Sequence, residues 1–238
     1  MIPISRDLSA SDTHSPDVTP LVRIVVIGSS TSTGAGAGSP DKNWVNRYQT
    51  YLHDINPSYQ VYNLAKKGNS TYKIQPDGSF PPNNRPMPDS GYNITSALKY
   101  NPHAIIINLP SNDATANIPI SEQLKNYDNV LSIAHDHHIP VWITTPQPRN
   151  LPDSQRVLQK TMSDSTLARY HPYAIDLWSI LADPEGRIKS KFDCGDGTHL
   201  NDIGHEIILF QVIRAGIIDR IISDRSKCAN PDNRSSDR

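Results

Sequence analysis

The sequence contains few residues of several types on which particular protein classes depend. Cysteine occurs only 2 times in 238 residues, which excludes a disulfide-rich scaffold and a four-cysteine zinc site. The sequence leaves open whether Cys194 and Cys228 form a disulfide or remain free thiols. The apolar stretches, such as 104–107 and 207–210, are far shorter than the roughly 20 residues of a membrane-spanning helix. We therefore expect a soluble protein with no membrane span.

Excess charge of either sign is also absent. Lys and Arg number 23 and Asp and Glu 24, giving a net charge of -1, and no basic run is long enough to follow a phosphate backbone. Nucleic acid is therefore not an expected partner. The first residues show no basic start followed by an apolar run, so no secretory signal is visible. The compartment stays open, and a secreted or periplasmic protein is possible if the chain is a piece of a longer one.

The composition favours long polar loops and tails around an ordinary core. Apolar residues make up 36% and charged residues 20%, with 20 Pro, and the remainder is rich in Ser, Thr and Asn. Residues 1–20 and 225–238 are polar and lack an apolar period. We predict an N-terminal tail that is disordered or extended, a single domain over 21–224, and a C-terminal tail over 225–238.

Short β-branched apolar runs alternate with longer segments of helical spacing. The predicted strands lie at 22–27, 60–64, 104–109, 141–145 and 174–177, and the predicted helices at 43–55, 121–138, 153–170 and 201–223. Because parallel strands need crossover connections, this order predicts an α/β fold with a five-stranded parallel sheet and helices on both faces. The proline-rich segment 75–89 is predicted to be a long loop.

Candidate catalytic groups follow the predicted strands, where ligands bind in sheets of this kind. A turn of small residues, 28–34, contains several serines, Gly68 follows the second strand, and Asn112 follows the third. Asp196 stands three residues before His199, ahead of the last helix. These groups supply a hydroxyl nucleophile, an imidazole base, a carboxylate to orient the imidazole, and donors for an oxyanion. The combination indicates acyl transfer.

The same segments resemble the conserved blocks of the SGNH (GDSL) hydrolase superfamily, which carry Ser, Gly, Asn and His in that order. Residues 28–34 resemble the first block, Gly68 the second, 112–113 the third and 196–201 the last, within a resemblance that covers about 22–223. It implies a flavodoxin-like, three-layer α/β/α sandwich. It also implies a serine ester hydrolase that forms an acyl-serine and needs no metal or other cofactor.

The resemblance assigns a role to each candidate. It implies that Ser30 is the nucleophile, His199 the base and Asp196 the residue that orients His199. The N–H groups of Ser30 and Gly68 and the Asn112 side-chain amide are the implied oxyanion hole.

Two residues depart from the pattern of the family. Ser29 stands where the family usually has Asp, and Pro110 stands where it usually has Gly, two residues before Asn112. We expect Ser29 to give the turn fewer hydrogen bonds and Pro110 to stiffen the approach to Asn112. Both departures put the catalytic efficiency in question more than the reaction class.

The polar loops after the strands favour a short acyl group on a polar carrier. Because family members that act on acetylated sugars fit this best, we expect a carbohydrate O-acetylesterase with a small-molecule or oligosaccharide ester as its substrate. Alternatives are a short-chain carboxylesterase, lysophospholipase or thioesterase of the same fold. From another class, a carbohydrate-binding module with little turnover would explain the two departures. The oligomeric state is open.

Other candidates have simpler interpretations. The histidines of 135–138 look like a metal cluster, but they end a predicted helix, where they suit the negative end of the helix dipole. The turn 28–34 lacks the lysine of a phosphate-binding loop. His205 is expected to pack within its helix. Arg149 follows the fourth strand and could reach the site, although a solvated loop position is the simpler expectation.

Overall fold

The computed structural model describes residues 21–229, with side chains up to 226. The predicted tail over 1–20 and the segment 230–238 lie outside the described residues. The elements are β1 (Arg23–Gly28), α1 (Trp44–Ile55), β2 (Gln60–Asn63), α2 (Ile94–Leu98), β3 (Ala104–Asn108), α3 (Asn112–Thr115), α4 (Ile120–Asp136), β4 (Val141–Thr144), α5 (Asp153–Tyr170), β5 (Ala174–Ile175), α6 (Trp178–Leu181), α7 (Asp202–Arg214) and α8 (Ile217–Ala229). Across this described part of the chain, no helix has both the length and the apolar character to cross a membrane.

The five strands form one sheet in the order β2-β1-β3-β4-β5, and every neighbouring pair is parallel. The predicted five-stranded parallel sheet is thereby confirmed. Strand β2 lies next to β1 on one flank within the sheet, and β3 lies next to β1 on the other flank. The direction in which the chain adds strands therefore reverses after β2. The carboxyl ends of β1 and β3 therefore flank the crevice in which sheets of this type bind ligands.

Alternate residues of β1 point to opposite faces of the sheet, as the pleat requires. Ile24 and Val26 pack in a buried cluster with residues of α1, α7 and α8. Val25 and Ile27 pack in a second buried cluster with residues of α2, α4 and α5. Helices thus cover both faces, which confirms the predicted three-layer α/β/α sandwich. Burial of both faces also explains why the central strands are continuous apolar runs.

The helix predicted over 201–223 is in fact two helices, α7 and α8. Its start is confirmed, because the Asn201 side chain caps α7 by accepting the N–H groups of Ile203 and Gly204. The break falls at Gly216, whose φ of 62° lies in the left-handed region that ends helices. Helix α8 then continues to Ala229, so residues 225–229 are helical and the predicted domain boundary at 224 falls inside a helix.

The proline-rich segment 75–89 contains no helix or strand, as predicted. Its last residue, Asp89, is hydrogen-bonded to a residue just before the segment, since the Asp89 N–H donates to the Lys73 carbonyl over 2.8 Å. The two ends of the loop therefore lie next to each other.

Candidate active site

Ser30, His199 and Asp196 lie together at the carboxyl end of the sheet. The Ser30 Oγ is 3.0 Å from His199 Nε2, and His199 Nδ1 is 2.7 Å from an Asp196 carboxylate oxygen. Because an ionised carboxylate only accepts hydrogen bonds, Nδ1 carries the ring proton and Nε2 is free to accept the Ser30 hydroxyl proton. This is the hydrogen-bond order that makes a serine nucleophilic.

The Asp196 carboxylate is held by its own loop. One carboxylate oxygen accepts the N–H groups of Thr198 and His199, each at 2.8 Å. Burial would raise the pKa of Asp196, but the hydrogen bonds from the His199 ring and from these N–H groups outweigh it and hold the pKa well below its usual range. Asp196 is therefore ionised at neutral pH and can stabilise a protonated His199.

The turn that carries Ser30 is fixed by its own hydrogen bonds and by a neighbouring strand. The Ser30 carbonyl accepts the Ala35 N–H at 2.9 Å and the Thr33 hydroxyl at 2.7 Å. The Ser29 N–H donates to the Asn108 carbonyl at the end of β3, over 3.2 Å. The nucleophile therefore sits on a rigid turn between two strand ends.

Gly36 allows this turn to approach the loop that carries His199. Its φ of 89° lies in the left-handed region. A Cβ at this position would clash with the Leu200 carbonyl oxygen and would lie 2.9 Å from His199 Cβ. His205 is buried beside the turn and contacts the Ala35 carbonyl through Nε2 at 3.2 Å, so the prediction that it packs within its helix is confirmed.

The three groups implied for the oxyanion hole line one cavity with Ser30 and His199. Within the described residues, the N–H groups of Ser30 and Gly68 donate to no protein acceptor, so both are available to a ligand. The Asn112 amide nitrogen instead lies 2.7 Å from Ser29 Oγ and 2.6 Å from the Asn69 carbonyl. Because an amide has two N–H groups, Asn112 must release or share one of these contacts to bind an oxyanion.

Ser29 has a specific role in this arrangement. Its side chain is fully buried and its hydroxyl accepts the hydrogen bond from Asn112. An acceptor therefore remains at the position where the family usually has Asp, although it is uncharged. Pro110, the second departure, lines the same cavity.

Asp113 is a residue that the motif contained but to which the sequence assigned no role. Its buried carboxylate accepts the Thr71 N–H at 3.1 Å and the Thr71 hydroxyl at 2.6 Å, which anchors the loop of Gly68 to α3. Burial raises the pKa of Asp113 to about 6, although the Thr71 hydrogen bonds partly oppose the shift. Its position directly after Asn112 was the one feature of the sequence that could have indicated a role for Asp113 in the site.

Gln147 is a second residue that the sequence did not single out. It is fully buried, accepts the Thr31 hydroxyl at 2.9 Å and donates to the Thr198 carbonyl at 3.0 Å. It therefore joins the turn of Ser30 to the loop of His199. The only indication in the sequence was its position three residues after β4.

Within the described part of the chain, one group of side chains brings three potential metal ligands together. Atoms of Asp193, Cys194 and Asp196 lie within 4.8 Å of one another. The hydrogen bonds of the loop already use these carboxylates, since Asp196 holds His199 and Asp193 accepts the N–H groups of Gly195 and Gly197. The histidines of 135–138 are not part of such a group. Cys194 is exposed, and the Cys228 side chain lies outside the described residues.

The cavity at Ser30 is small, and most of the residues that line it are polar or charged. It has a volume of about 240 Å³ and is lined by ten residues, of which Pro110 supplies the only apolar side chain. A larger cavity of about 670 Å³ lies beside Trp178 and the first turns of α5, and it contains none of the catalytic candidates. The chemistry therefore belongs to the smaller cavity.

The sequence of the chain matches the model of the GDSL-like lipase/acylhydrolase family over residues 26–207. The chain belongs to this family. The match spans all four blocks and the arrangement of Ser30, His199 and Asp196. The enzyme is accordingly a serine ester hydrolase of the SGNH/GDSL type. This family membership does not favour the alternative of a carbohydrate-binding module with little turnover. No curated protein matches the sequence.

Solved structures of similar fold come from several esterases and lipases. A psychrotrophic esterase from Pseudoalteromonas sp. is 14% identical, with a TM-score of 0.60 over 84% of this chain and 98% of its own. An acetyl xylan esterase is 16% identical, with a TM-score of 0.61 over 82% of this chain and 99% of its own. A lipase/acylhydrolase from Enterococcus faecalis is 18% identical, with a TM-score of 0.59 over 83% and 96%. At these identities the likeness establishes the fold, not the substrate.

Proposed function

We propose that this enzyme removes a short acyl group, acetyl in the first instance, from a carbohydrate by way of an acyl-serine intermediate. The observation that carries the proposal is the cavity of about 240 Å³ at Ser30 with Pro110 as its only apolar side chain. A long acyl chain needs an extended apolar wall. An acetyl group needs little apolar contact, so this cavity fits it better than the chain of a lipid or of a medium-chain thioester.

The polar lining also supports a hydrophilic carrier. Ser111 and Thr198 line the cavity beside the nucleophile, and their hydroxyl groups can donate to or accept from sugar hydroxyls. An acetyl xylan esterase is among the proteins that share this fold, so the fold is compatible with such a substrate.

Acylation begins when His199 Nε2 takes the Ser30 proton while Ser30 Oγ attacks the ester carbonyl. The C–O bond to Ser30 forms, and the electron pair of the carbonyl moves to its oxygen. The N–H groups of Ser30 and Gly68 stabilise this oxyanion, joined by Asn112 when its amide turns from Ser29 or Asn69. The protonated His199 then gives its proton to the sugar oxygen, whose bond to the acyl carbon breaks.

Deacylation repeats these steps with water as the nucleophile. His199 takes a proton from the water, the hydroxide attacks the acyl-serine, and the proton passes to Ser30 Oγ as the acid leaves. Asp196 stabilises the imidazolium in both halves of the reaction and keeps Nε2 directed at Ser30.

A panel of esters tests the proposal. Wild type and Ser30→Ala are compared on p-nitrophenyl acetate, butyrate and octanoate and on acetylated xylo-oligosaccharide. We expect kcat/KM to fall from acetate to octanoate, acetate release from the oligosaccharide, and a loss of about 10³-fold or more in Ser30→Ala. A preference for octanoate would contradict the short-acyl assignment, and full activity of Ser30→Ala would contradict the nucleophile.

A further inference from the structure

We infer that the carrier of the acyl group bears a negative charge beside the ester, and that Lys67 and Arg149 bind this charge. The inference rests on the proposed function, because it concerns the substrate of the same site. The observation is the composition of the cavity at Ser30, whose lining includes these two cations and His199 but no Asp or Glu. An anion next to the ester would therefore meet positive charge on approach.

The two cations come from opposite sides of the nucleophile. Lys67 follows β2 and Arg149 follows β4, and the sheet order places β1 and β3 between them. Ser30 follows β1 and Asn112 follows β3, so the reacting centre lies between the two cations. A carrier that binds either cation therefore keeps its ester within the cavity.

The side chain of Arg149 is held in place by one hydrogen bond and keeps other N–H groups free for a ligand. The residue is half-buried, and one guanidinium nitrogen donates to the Thr115 hydroxyl at 3.1 Å. Among the described residues no carboxylate pairs with Arg149. A guanidinium has five N–H groups in a fork that fits a carboxylate or a phosphate. The contact with Thr115 therefore fixes the side chain without using all its donors.

On the other side, Lys67 is exposed and pairs with no acid in the part of the chain that the structure describes. A further cation lies close by, because Lys73 Nζ is 3.8 Å from the point that a Cβ on Gly68 would occupy. Positive charge thus borders the Gly68 N–H, which is one of the free oxyanion donors.

The acids near the cavity bind other groups. Asp89 pairs with Lys66 at 2.7 Å, the Asp196 carboxylate contacts His199 Nδ1 at 2.7 Å, and Asp113, a buried residue of α3, has its oxygens on Thr71. Within the described residues none of these carboxylates pairs with Lys67 or Arg149, so both cations can bind a substrate. The chemistry they recognise is a carboxylate, as on a uronic acid, or a phosphate.

Acetyl esters of three phenols that differ in their para substituent test the inference. The anionic probes are 4-acetoxybenzoate, which carries a carboxylate, and 4-acetoxyphenyl phosphate, and the neutral probe is 4-acetoxybenzamide. For wild type at low ionic strength we expect kcat/KM to be about tenfold higher for one or both anionic probes than for the amide, since charge-assisted hydrogen bonds contribute this much. The probe with the larger ratio identifies the group, and added salt should reduce the ratio.

Charge variants locate the effect. Lys67→Gln and Arg149→Gln should each lower the anionic-to-neutral ratio, and the double variant should bring it close to one. Arg149→Lys keeps the charge but loses the forked N–H donors, so it should retain part of the ratio, more than Arg149→Gln does. Lys99→Gln is the matched control, because it removes an exposed cation that precedes the amino end of β3, whereas the catalytic groups follow the carboxyl ends of the strands. This variant should keep the wild-type ratio.

The outcomes separate this inference from the proposed function. Hydrolysis of the neutral amide probe by wild type but not by Ser30→Ala supports the proposed function whatever the ratio. A wild-type ratio of one or less, or a ratio unchanged in the double variant, overturns the anion site. If no probe is hydrolysed, the proposed function fails. The inference is then decided by calorimetry on Ser30→Ala, which should bind an anionic probe more tightly than the amide only while Lys67 and Arg149 are present.

Discussion

At the scale of single residues, Asp196 shows how one carboxylate both shapes a loop and serves the reaction. It accepts two backbone N–H groups of its own loop and the ring N–H of His199. Because these three donors lower the pKa of Asp196, the carboxylate stays charged when His199 takes a proton. The neighbouring Asp193 accepts only backbone N–H groups of Gly195 and Gly197 and does not touch His199.

Asp196→Asn should therefore lower kcat by about 10²–10⁴-fold with a small change in KM, because the neutral amide cannot stabilise the imidazolium or fix its tautomer. Asp193→Asn makes the same chemical change in the same loop and should cost less than tenfold. Steady-state kinetics on p-nitrophenyl acetate measures both. Equal losses in the two variants would mean that Asp196 acts only through the structure of the loop.

The sequence was informative about the identity of these residues and silent about their contacts. The resemblance of residues 28–34 and 196–201 to blocks of the family predicted the triad, and the structure places both Ser30 and Asp196 within hydrogen-bond distance of His199. The contact between Asn112 and Ser29 was not predictable, since it joins residues 83 positions apart and depends on how α3 follows β3. Gln147 was missed for the same reason.

At the scale of elements, the site depends on the close approach of the turn after β1 to the loop before α7. Gly36 lies at the contact, and a side chain there would collide with the Leu200 backbone and approach His199. Gly78 offers a matched position, because its φ of 82° is also left-handed but nothing lies within 4 Å of a Cβ built on it.

Both Gly36→Ala and Gly78→Ala pay the backbone strain of a left-handed alanine, about 1–2 kcal/mol. Only Gly36→Ala should also lower kcat, by about tenfold or more, because a shift of even 1 Å between Ser30 and His199 weakens proton transfer. Thermal melting measures the backbone strain alone in Gly78→Ala and the strain together with the Leu200 clash in Gly36→Ala, and ester hydrolysis measures the difference in kcat. Unchanged kcat in Gly36→Ala would show that the two loops can separate without loss of the catalytic contact.

The strands and long helices could be predicted because each has enough residues for its apolar period to repeat. Helices α2, α3 and α6 have 5, 4 and 4 residues, too few to show a period. The break between α7 and α8 was missed because apolar residues keep helical spacing across Gly216. The continuation of α8 past 224 was missed because its last turns are polar and lack an apolar stripe.

At the scale of the whole molecule, the fold buries a carboxyl group at the base of its site. Burial raises the pKa of Asp113 from 3.8 to about 6. The folded protein therefore holds this proton more tightly than the unfolded chain does. The contribution of Asp113 to stability is full below about pH 4 and is lost as the pH rises through about 6, with a slope of up to about 1.4 kcal/mol per pH unit.

Asp113→Asn removes this titration. Wild type should lose stability relative to the variant as the pH rises from 4 to 6, so the free energy of unfolding of the variant minus that of wild type should increase. The altered Thr71 contacts add a cost that does not depend on pH and does not affect this trend. Urea denaturation at several pH values measures it, and Asp136→Asn, at an exposed position, controls for the change in net charge. A difference that stays constant, or falls, over this range would contradict the buried, proton-retaining Asp113.

The most direct test of the central claim, that Ser30 is activated by His199, is covalent labelling with a fluorophosphonate followed by peptide mass spectrometry. The account predicts one adduct on wild type, located on Ser30, no adduct at this position in Ser30→Ala, and greatly slowed labelling in His199→Ala. A folded wild-type protein that takes up no label, or takes it up on a different residue, would contradict it.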